Sequence, residues 1–378
     1  MEICNIKNEC TGCGACYASC PKGAITMREN GAFCEPVIDA QLCIECGICK
    51  GVCPQNKEAS PIKPLDVYAY QTSDKALLYR SSSGGAFGVL ANTVLNSGGS
   101  VVGSAFSDGK AAHIVCDNFD DLNKLHGSKY VQSEFYPVIE QIKKLANEKE
   151  PVLVSGTPCQ IAGIKSALKK DYDNVYFVDL ICTGVMSPKI FSTYLELLQQ
   201  RKNCKIVDFK FRDKTNGWTN SNILIEKADG TTEVLTRKQS EYFGLFGSNI
   251  GFRECCYKCK YRKYNTKADI TIGDYWGIAS FDSSLNSDEG YSIIIVNNNK
   301  GAELLKRSVN ENDLLVATTL EHAEQTHKKL KFSVHKNNYH NLFMRKFLKT
   351  STPKGLEKAY KRCCSANLTD RILRKLTK

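Results

Sequence analysis

The sequence contains no run of about eighteen uninterrupted apolar residues, the length a helix needs to cross a bilayer. It shows no charged-then-apolar export segment either. The first absence excludes a helical membrane span. The second removes the oxidising compartments in which disulfide frameworks persist, so a soluble, reduced, cytoplasmic protein is expected. Acidic residues are in deficit: 40 Asp and Glu against 51 Lys and Arg leave a formal charge of +11. That imbalance implies an acidic partner, an anionic cofactor or a nucleic acid. What is abundant is cysteine, with nineteen in 378 residues. Without export, that number points to clusters rather than bridges. A chain of this length with 42% hydrophobic residues can bury two or three cores, so more than one domain is expected.

Eight of the cysteines fall in two copies of one spelling, CTGCGACYASCP at residues 10–21 and CIECGICKGVCP at 43–54. The pattern is C-x-x-C-x-x-C-x-x-x-C-P. Two residues between thiolates let a short loop wrap three corners of a cubane, and in two-cluster ferredoxins the fourth cysteine ligates the other cluster. That assigns Cys10, Cys13, Cys16 and Cys53 to one [4Fe–4S] cluster, and Cys43, Cys46, Cys49 and Cys20 to a second. Gly12, Gly14 and Gly47 allow close approach of backbone to inorganic sulfide, and Pro21 and Pro54 turn the chain away. Zinc sites close with four ligands and have no use for the third C-x-x-C step. Residues 22–41 read as a hairpin turning at Asn30-Gly31. It completes a module, residues 1–56, that resembles the bacterial two-cluster ferredoxins.

Residues 57–66 carry two prolines and no periodicity, and read as a linker. Beyond them strands alternate with helices, which predicts a sheet covered on both faces, followed by a three-stranded meander over 205–237. Two turns suit a ligand. RSSSGGAFGVL, residues 80–90, sets hydroxyls and two glycines before an apolar helix, where free N–H groups favour phosphate; an ordinary N-cap is the plainer reading. LHGSKYVQS, residues 125–133, adds a glycine turn with Lys129 beside an aromatic, a pair that can hold a phosphate and a flat heterocycle or simply lie on the surface.

The other cysteines sort by their neighbours. Cys159 opens a helix, Cys182 follows a strand, and ECCYKCKYR supplies Cys255, Cys256 and Cys259. Cys159, Cys182, Cys256 and Cys259 would hold a third [4Fe–4S] cluster at a sheet edge. Cys255 can replace Cys256 on spacing alone, and buried structural thiols plus a redox or zinc pair is the competing reading. Cys4, Cys34, Cys116, Cys204, Cys363 and Cys364 form no ligand grouping.

The segments SSSGGAFGVLANTVLNSG, GSKYVQS, SGTPCQIAGIKSAL, ICTGVMSP and CCYKCKYRKYNTKADITIGDYWG, in this order, resemble the coenzyme F420 hydrogenase/dehydrogenase beta-subunit family over residues 67–300. The resemblance implies FAD and a [4Fe–4S] cluster beside it. It strengthens the third cluster and makes Ser82, Ser83, Gly84, Gly85, Gly127, Ser128 and Lys129 expected FAD contacts. Asp269, Asp274 and Trp276 match a further family segment and are assigned no chemistry. The expected fold is α+β / α/β: a two-cluster ferredoxin fold at 1–56, a linker at 57–66, and a mixed α/β flavin-binding domain. The last divides into beta-subunit N-terminal-like (67–155) and C-terminal-like (156–325) regions, with a basic helical tail at 326–378.

A cubane exchanges single electrons and a flavin exchanges pairs, so clusters ending at FAD convert one into the other. The expected function is an iron–sulfur flavoprotein oxidoreductase acting on a deazaflavin or another two-electron substrate; the alternative is an electron-transfer subunit serving a partner enzyme. The basic tail, including Lys346, Lys349, Lys358, Lys361, Arg362, Arg371, Arg374 and Lys375, suits an acidic ferredoxin or flavodoxin, or is simply a solvated helical face. It shows no stacking-aromatic or zinc-finger pattern, so nucleic acid is not the expected partner. Catalytic side chains and the direction of electron flow are not assigned.

Overall fold

Glycine in the left-handed region starts each short helix of the cysteine repeats. Gly14 (φ 80°) precedes the helix Ala15–Ser19 and Gly47 (φ 72°) precedes Ile48–Gly51, a conformation that a side chain resists. The computed structural model describes residues 2–5, 8–107, 109–220 and 222–376, with side chains described as far as 364. Strands β1 (Ile25–Asn30) and β2 (Phe33–Ile38) pair antiparallel across the Asn30-Gly31 turn. The expected hairpin is therefore present. Residues 57–65 form no helix or strand. They are nevertheless pinned to the next unit, with Ser60 N–H on Asn265 Oδ1 at 2.8 Å, Ile62 N–H on the Tyr264 carbonyl and Leu65 N–H on the Val296 carbonyl.

The main sheet has eight strands: β3 (Asp66–Gln71), β4 (Ser100–Ser107), β5 (Lys110–Cys116), β6 (Val152–Gly156), β7 (Val175–Leu180), β11 (Ile270–Asp274), β12 (Ser292–Val296) and β13 (Leu314–Ala317). Their order is β13-β3-β12-β11-β7-β6-β4-β5. The central pairs β11/β7, β7/β6 and β6/β4 are parallel, and the flanking pairs are antiparallel. Strands drawn from both ends of residues 66–317 interleave in this one sheet.

Alternation along the parallel strands decides which helices cover each face. Leu153 and Val178 point into a core with the helices Ala86–Asn96 and Asn299–Ser308. Val152, Val154, Val175 and Phe177 point the other way, towards Ile139–Asn147 and Pro158–Leu168. The ferredoxin module sits on this second side: Cys13 and Ala15 belong to the same core. A Cβ on Gly14 would lie 2.4 Å from the Cβ of Tyr136 and one on Gly163 would lie 2.6 Å from the Cβ of Cys13. The two units therefore touch where only glycine fits.

The meander β8 (Ile206–Asp213), β9 (Asn222–Lys227) and β10 (Thr232–Leu235) is a separate antiparallel sheet. It packs with the helix Pro188–Lys202 in the largest core, which also takes Phe343 and Phe347 of the helix His340–Leu348 and Leu356, Ala359 and Cys363 of Pro353–Leu376. The tail is thus amphipathic. Its inner face completes a core, while Lys349, Lys358, Lys361 and Arg362 face solvent. The side chains of Arg371, Arg374 and Lys375 lie outside the described residues.

Phe343 is fully buried, so Phe343→Ala should lower the unfolding free energy by about 3–5 kcal/mol in a chemical denaturation curve. A change within about 0.5 kcal/mol, the range of surface substitutions, would mean that the tail is an appendage.

Candidate functional site

The cysteines of the two repeats line two cavities. One is walled by Cys20, Cys43, Cys46 and Cys49. The other is walled by Cys10, Cys13, Cys16 and Cys53, with Cys4 also at its edge. The fourth cysteine of each repeat therefore lies with the first three of the other, as the spacing predicts. Gly12 N–H reaches Cys10 Sγ at 3.4 Å and Ala24 N–H reaches Cys20 Sγ at 3.3 Å. Burial, reinforced by nearby thiols, raises the Cys16 thiol and pushes that of Cys53 up to about 12. Such thiols stay protonated until a metal takes the proton's place. Among the described residues no three His, Cys, Asp or Glu converge on a point that would hold a single ion. Each cavity is walled by four repeat cysteines, a donor set whose chemistry fits an iron–sulfur cluster.

The third set is built at the carboxyl edge of the parallel strands. Cys159 is three residues beyond β6, in the first turn of the helix Pro158–Leu168, and Cys182 is two residues beyond the adjacent β7. The chain returns at Phe252, which bridges to Met186, and this brings in Cys256 and Cys259. Burial raises the Cys159 thiol, and the sulfurs of Cys182, Cys259 and Cys256 raise it further. Cys182 is pushed up to about 12 by burial and then by Cys256. A Cβ on Gly184 would come within 3.3 Å of the Cβ of Cys256. Cys255 is buried beside Cys256, and its neighbouring thiol holds that of Cys256 below its ordinary range. The four expected cysteines are thus brought together, with Cys255 behind Cys256.

Three cations on the same loop tie these sets to one another. Arg253, buried, donates from Nε to the Cys10 carbonyl at 2.6 Å, from Nη1 to Gln132 Oε1 at 3.1 Å and from Nη2 to the Cys34 carbonyl at 3.1 Å. Lys260 donates to the carbonyls of Pro54 (3.0 Å), Gln55 (3.1 Å) and Lys57. Arg262 donates to the Cys182 carbonyl at 2.6 Å and to that of Thr183 at 3.3 Å. Sequence reasoning passed over all three. The available signal was their interleaving with the C-x-x-C pair.

The two ligand-like turns also meet, with Ser128 N–H on Ser82 Oγ at 2.8 Å. Most of their polar groups are engaged within the fold. Ser83 Oγ donates to the Tyr291 carbonyl at 2.5 Å. A Cβ on Gly84 would lie 2.1 Å from the Tyr70 carbonyl oxygen, and one on Gly85 (φ 94°) would lie 2.7 Å from Thr72 Cγ2. These glycines let the turn pass under β3. Lys129 Nζ donates to the carbonyls of Lys124, Leu125 and His126 at 2.9–3.0 Å, closing the carboxyl end of the helix Phe119–Leu125, and burial lowers its pKa to about 7.

Open donors lie next door. Arg212 holds Asp274 at 2.9 Å, Tyr130 Oη at 3.2 Å and the Ser82 carbonyl at 3.1 Å. Arg237 stands against the rings of Tyr130 and Phe243. Arg212 Nε and Arg237 Nε and Nη2 are buried without a hydrogen-bond partner. Gly127 (φ 79°) faces open space. Beside them Trp218 and Trp276 stack at 4.2 Å, and Trp218 Nε1 donates to Asp274 at 3.1 Å. Asp274 therefore anchors Arg212 and Trp218.

Residues 149–322 match the C terminus of the coenzyme F420 hydrogenase/dehydrogenase beta subunit, and residues 9–57 match the 4Fe-4S dicluster domain. Just under half of the chain thus carries the C-terminal region of that beta-subunit family, behind a dicluster module. The family places it among the oxidoreductases, and its dicluster module carries two [4Fe–4S] clusters. An uncharacterized protein of Methanocaldococcus jannaschii is 24% identical over 80% of this chain and 87% of its own. The coenzyme F420-dependent sulfite reductase of the same organism is 27% identical over 80% of this chain and 47% of its own. The F420-dependent formate dehydrogenase 1 subunit beta of Methanococcus maripaludis is 26% identical over 64% of this chain and 58% of its own. The chain thus spans about half the length of the last two. A chain of the F420-reducing [NiFe] hydrogenase complex from Methanosarcina barkeri superposes with a TM-score of 0.46 at 18% identity, covering 81% of this chain and 93% of that one. Among the described residues no helix is long and apolar enough to cross a membrane.

Arg253→Met removes the charge and its donors but keeps a long apolar stem. With each charge-assisted bond worth about 1.5–3 kcal/mol, the variant should be destabilised by about 2–4 kcal/mol in anaerobic denaturation. Unchanged stability would mean that the module is held by other contacts.

Proposed function

We propose that the chain is an iron–sulfur flavoprotein oxidoreductase that moves electrons between its ferredoxin-type clusters and FAD, and from there to or from a deazaflavin or another two-electron substrate. What carries the reading is the juxtaposition of Cys13 with Gly163, one helical turn from Cys159, in a chain that joins a dicluster module to this family. On this reading Cys10, Cys13, Cys16 and Cys53 hold the near cluster and Cys43, Cys46, Cys49 and Cys20 the far one. Cys159, Cys182, Cys256 and Cys259 hold a third. Bound clusters supply one-electron steps, and bound FAD converts them to a two-electron exchange.

The protein's own part is placement. Arg253 and Lys260 fix the near repeat against the third cysteine set, and Gly163 removes the side chain that would separate them. Ser82, Ser83, Gly84, Gly85, Gly127 and Ser128 form the wall of the cofactor site. Arg212 and Arg237 contribute the free donors that an anionic pyrophosphate requires, a role the sequence alone assigned to Lys129. The paired indoles of Trp218 and Trp276 offer a flat surface at its edge and exclude water.

The partner on this reading is a ferredoxin or flavodoxin-type protein drawn to the basic tail. A second reading, an electron-transfer subunit without its own small-molecule substrate, is favoured by the relative named as a formate dehydrogenase subunit. Turnover of a deazaflavin by the isolated chain supports the oxidoreductase; turnover only with an added partner supports the subunit.

Anaerobic reconstitution should give twelve iron and twelve acid-labile sulfide per chain, and eight of each would remove the third cluster. Cys256→Ser should lower iron content while Cys255→Ser leaves it unchanged; the reverse result would exchange the two. Arg237→Gln should lower FAD occupancy at least tenfold, whereas Lys129→Gln should lower stability more than FAD affinity. Full flavin retention in Arg237→Gln would put the pyrophosphate elsewhere.

A further inference from the structure

Tyr261 lies between the two cations that grip opposite sides of the iron–sulfur region. Lys260 before it holds the carbonyls of Pro54, Gln55 and Lys57, at the end of the second cysteine repeat. Arg262 after it holds the carbonyls of Cys182 and Thr183, beside the third set. Backbone fixed on both sides leaves the tyrosine ring little freedom. Its hydroxyl is buried and has no hydrogen-bond partner, and stranding a buried donor is costly enough that native structures seldom do it. Cys259 stands two residues before it, and the cations on either side reach the chain just after Cys53 and at Cys182. Gly163 brings the helix that carries Cys159 against Cys13 from the other side.

We propose that Tyr261 bridges the near ferredoxin cluster and the third cluster, its ring filling the gap between the two sulfur sets and its hydroxyl donating a hydrogen bond to a cluster sulfur. The proposal rests on the third-cluster reading above. No bond forms or breaks in the tyrosine and it keeps its proton; the electron lost by one cluster is the electron gained by the other. A donor to sulfur stabilises the more negative, reduced state of a cluster and so raises its reduction potential. Tyr261 is in this sense a positioning and tuning residue.

The test compares the full chain and Tyr261→Phe, both reconstituted anaerobically, with iron counted and potentials followed by electron paramagnetic resonance. Both should hold twelve irons. In the Phe variant the midpoint potential of one of the two neighbouring clusters should shift negative, while the cluster at Cys43, Cys46, Cys49 and Cys20 stays unchanged. The wild-type chain in D2O should show an exchangeable deuteron coupled to a reduced cluster, and the variant should lose it. Twelve irons with all three potentials unmoved would overturn the bridge and leave the cluster reading intact, the hydroxyl then being satisfied by water. Absence of the coupled deuteron in the wild type would overturn it without any variant. Eight irons in the wild type would overturn both the bridge and the reading beneath it.

Discussion

The guanidinium of Arg253 is the contact on which the arrangement of this protein depends. It reaches the Cys10 carbonyl, inside the first cysteine repeat, from a position three residues before Cys256. One side chain thereby fixes the distance between a ferredoxin ligand loop and the third set of cysteines. Burying a guanidinium costs several kcal/mol, and only good geometry with full hydrogen bonding offsets that. Here Cys10, Gln132 and Cys34 each accept from it, and Glu35 lies 3.8 Å from Nη2. Each of its three nitrogens therefore has an acceptor, which offsets much of the cost of burial. Lys260 and Arg262 repeat the device on carbonyls to either side.

Backbone carbonyls, not carboxylates, take most of these bonds, and the choice has a consequence. A carboxylate close to a cluster would add negative charge and lower its potential, whereas carbonyls satisfy the cations while leaving their positive charge free to act on the sulfurs. The same loop therefore performs mechanical and electrostatic work together. Glycine supplies the remaining closeness: Gly14 against Tyr136 and Gly163 against Cys13 permit an approach that any side chain would prevent.

Local patterns were legible in the sequence, and long-range closure was not. The hairpin at Asn30-Gly31, the alternating strands and helices, and the crossed fourth cysteines of the repeats follow from spacing and periodicity, which are properties of short segments. The three strands added beyond the meander, β11, β12 and β13, insert among or beside strands from far upstream, and no local signal encodes such pairing. Lys129 illustrates the difference. Read beside Tyr130 it resembles a phosphate ligand, but the helix ending at Leu125 presents three unfilled carbonyls within reach of its amine. Gly84 and Gly85 have a packing role that the sequence did not show: Tyr70 and Thr72, across an intervening helix, leave no room for their side chains. Arg253, Lys260 and Arg262 resembled ordinary basic residues in a basic chain because their acceptors lie up to 243 positions away.

On the proposed reading, this loop holds the near ferredoxin cluster and a third cluster as neighbours in one rigid relation. Two paramagnetic clusters at such range broaden and split one another's resonances. The most direct measurement is therefore the electron paramagnetic resonance spectrum of the fully reduced chain, compared with partly reduced samples. Magnetic interaction should grow as the second of the two clusters is reduced. A fully reduced spectrum equal to the simple sum of independent clusters would contradict it.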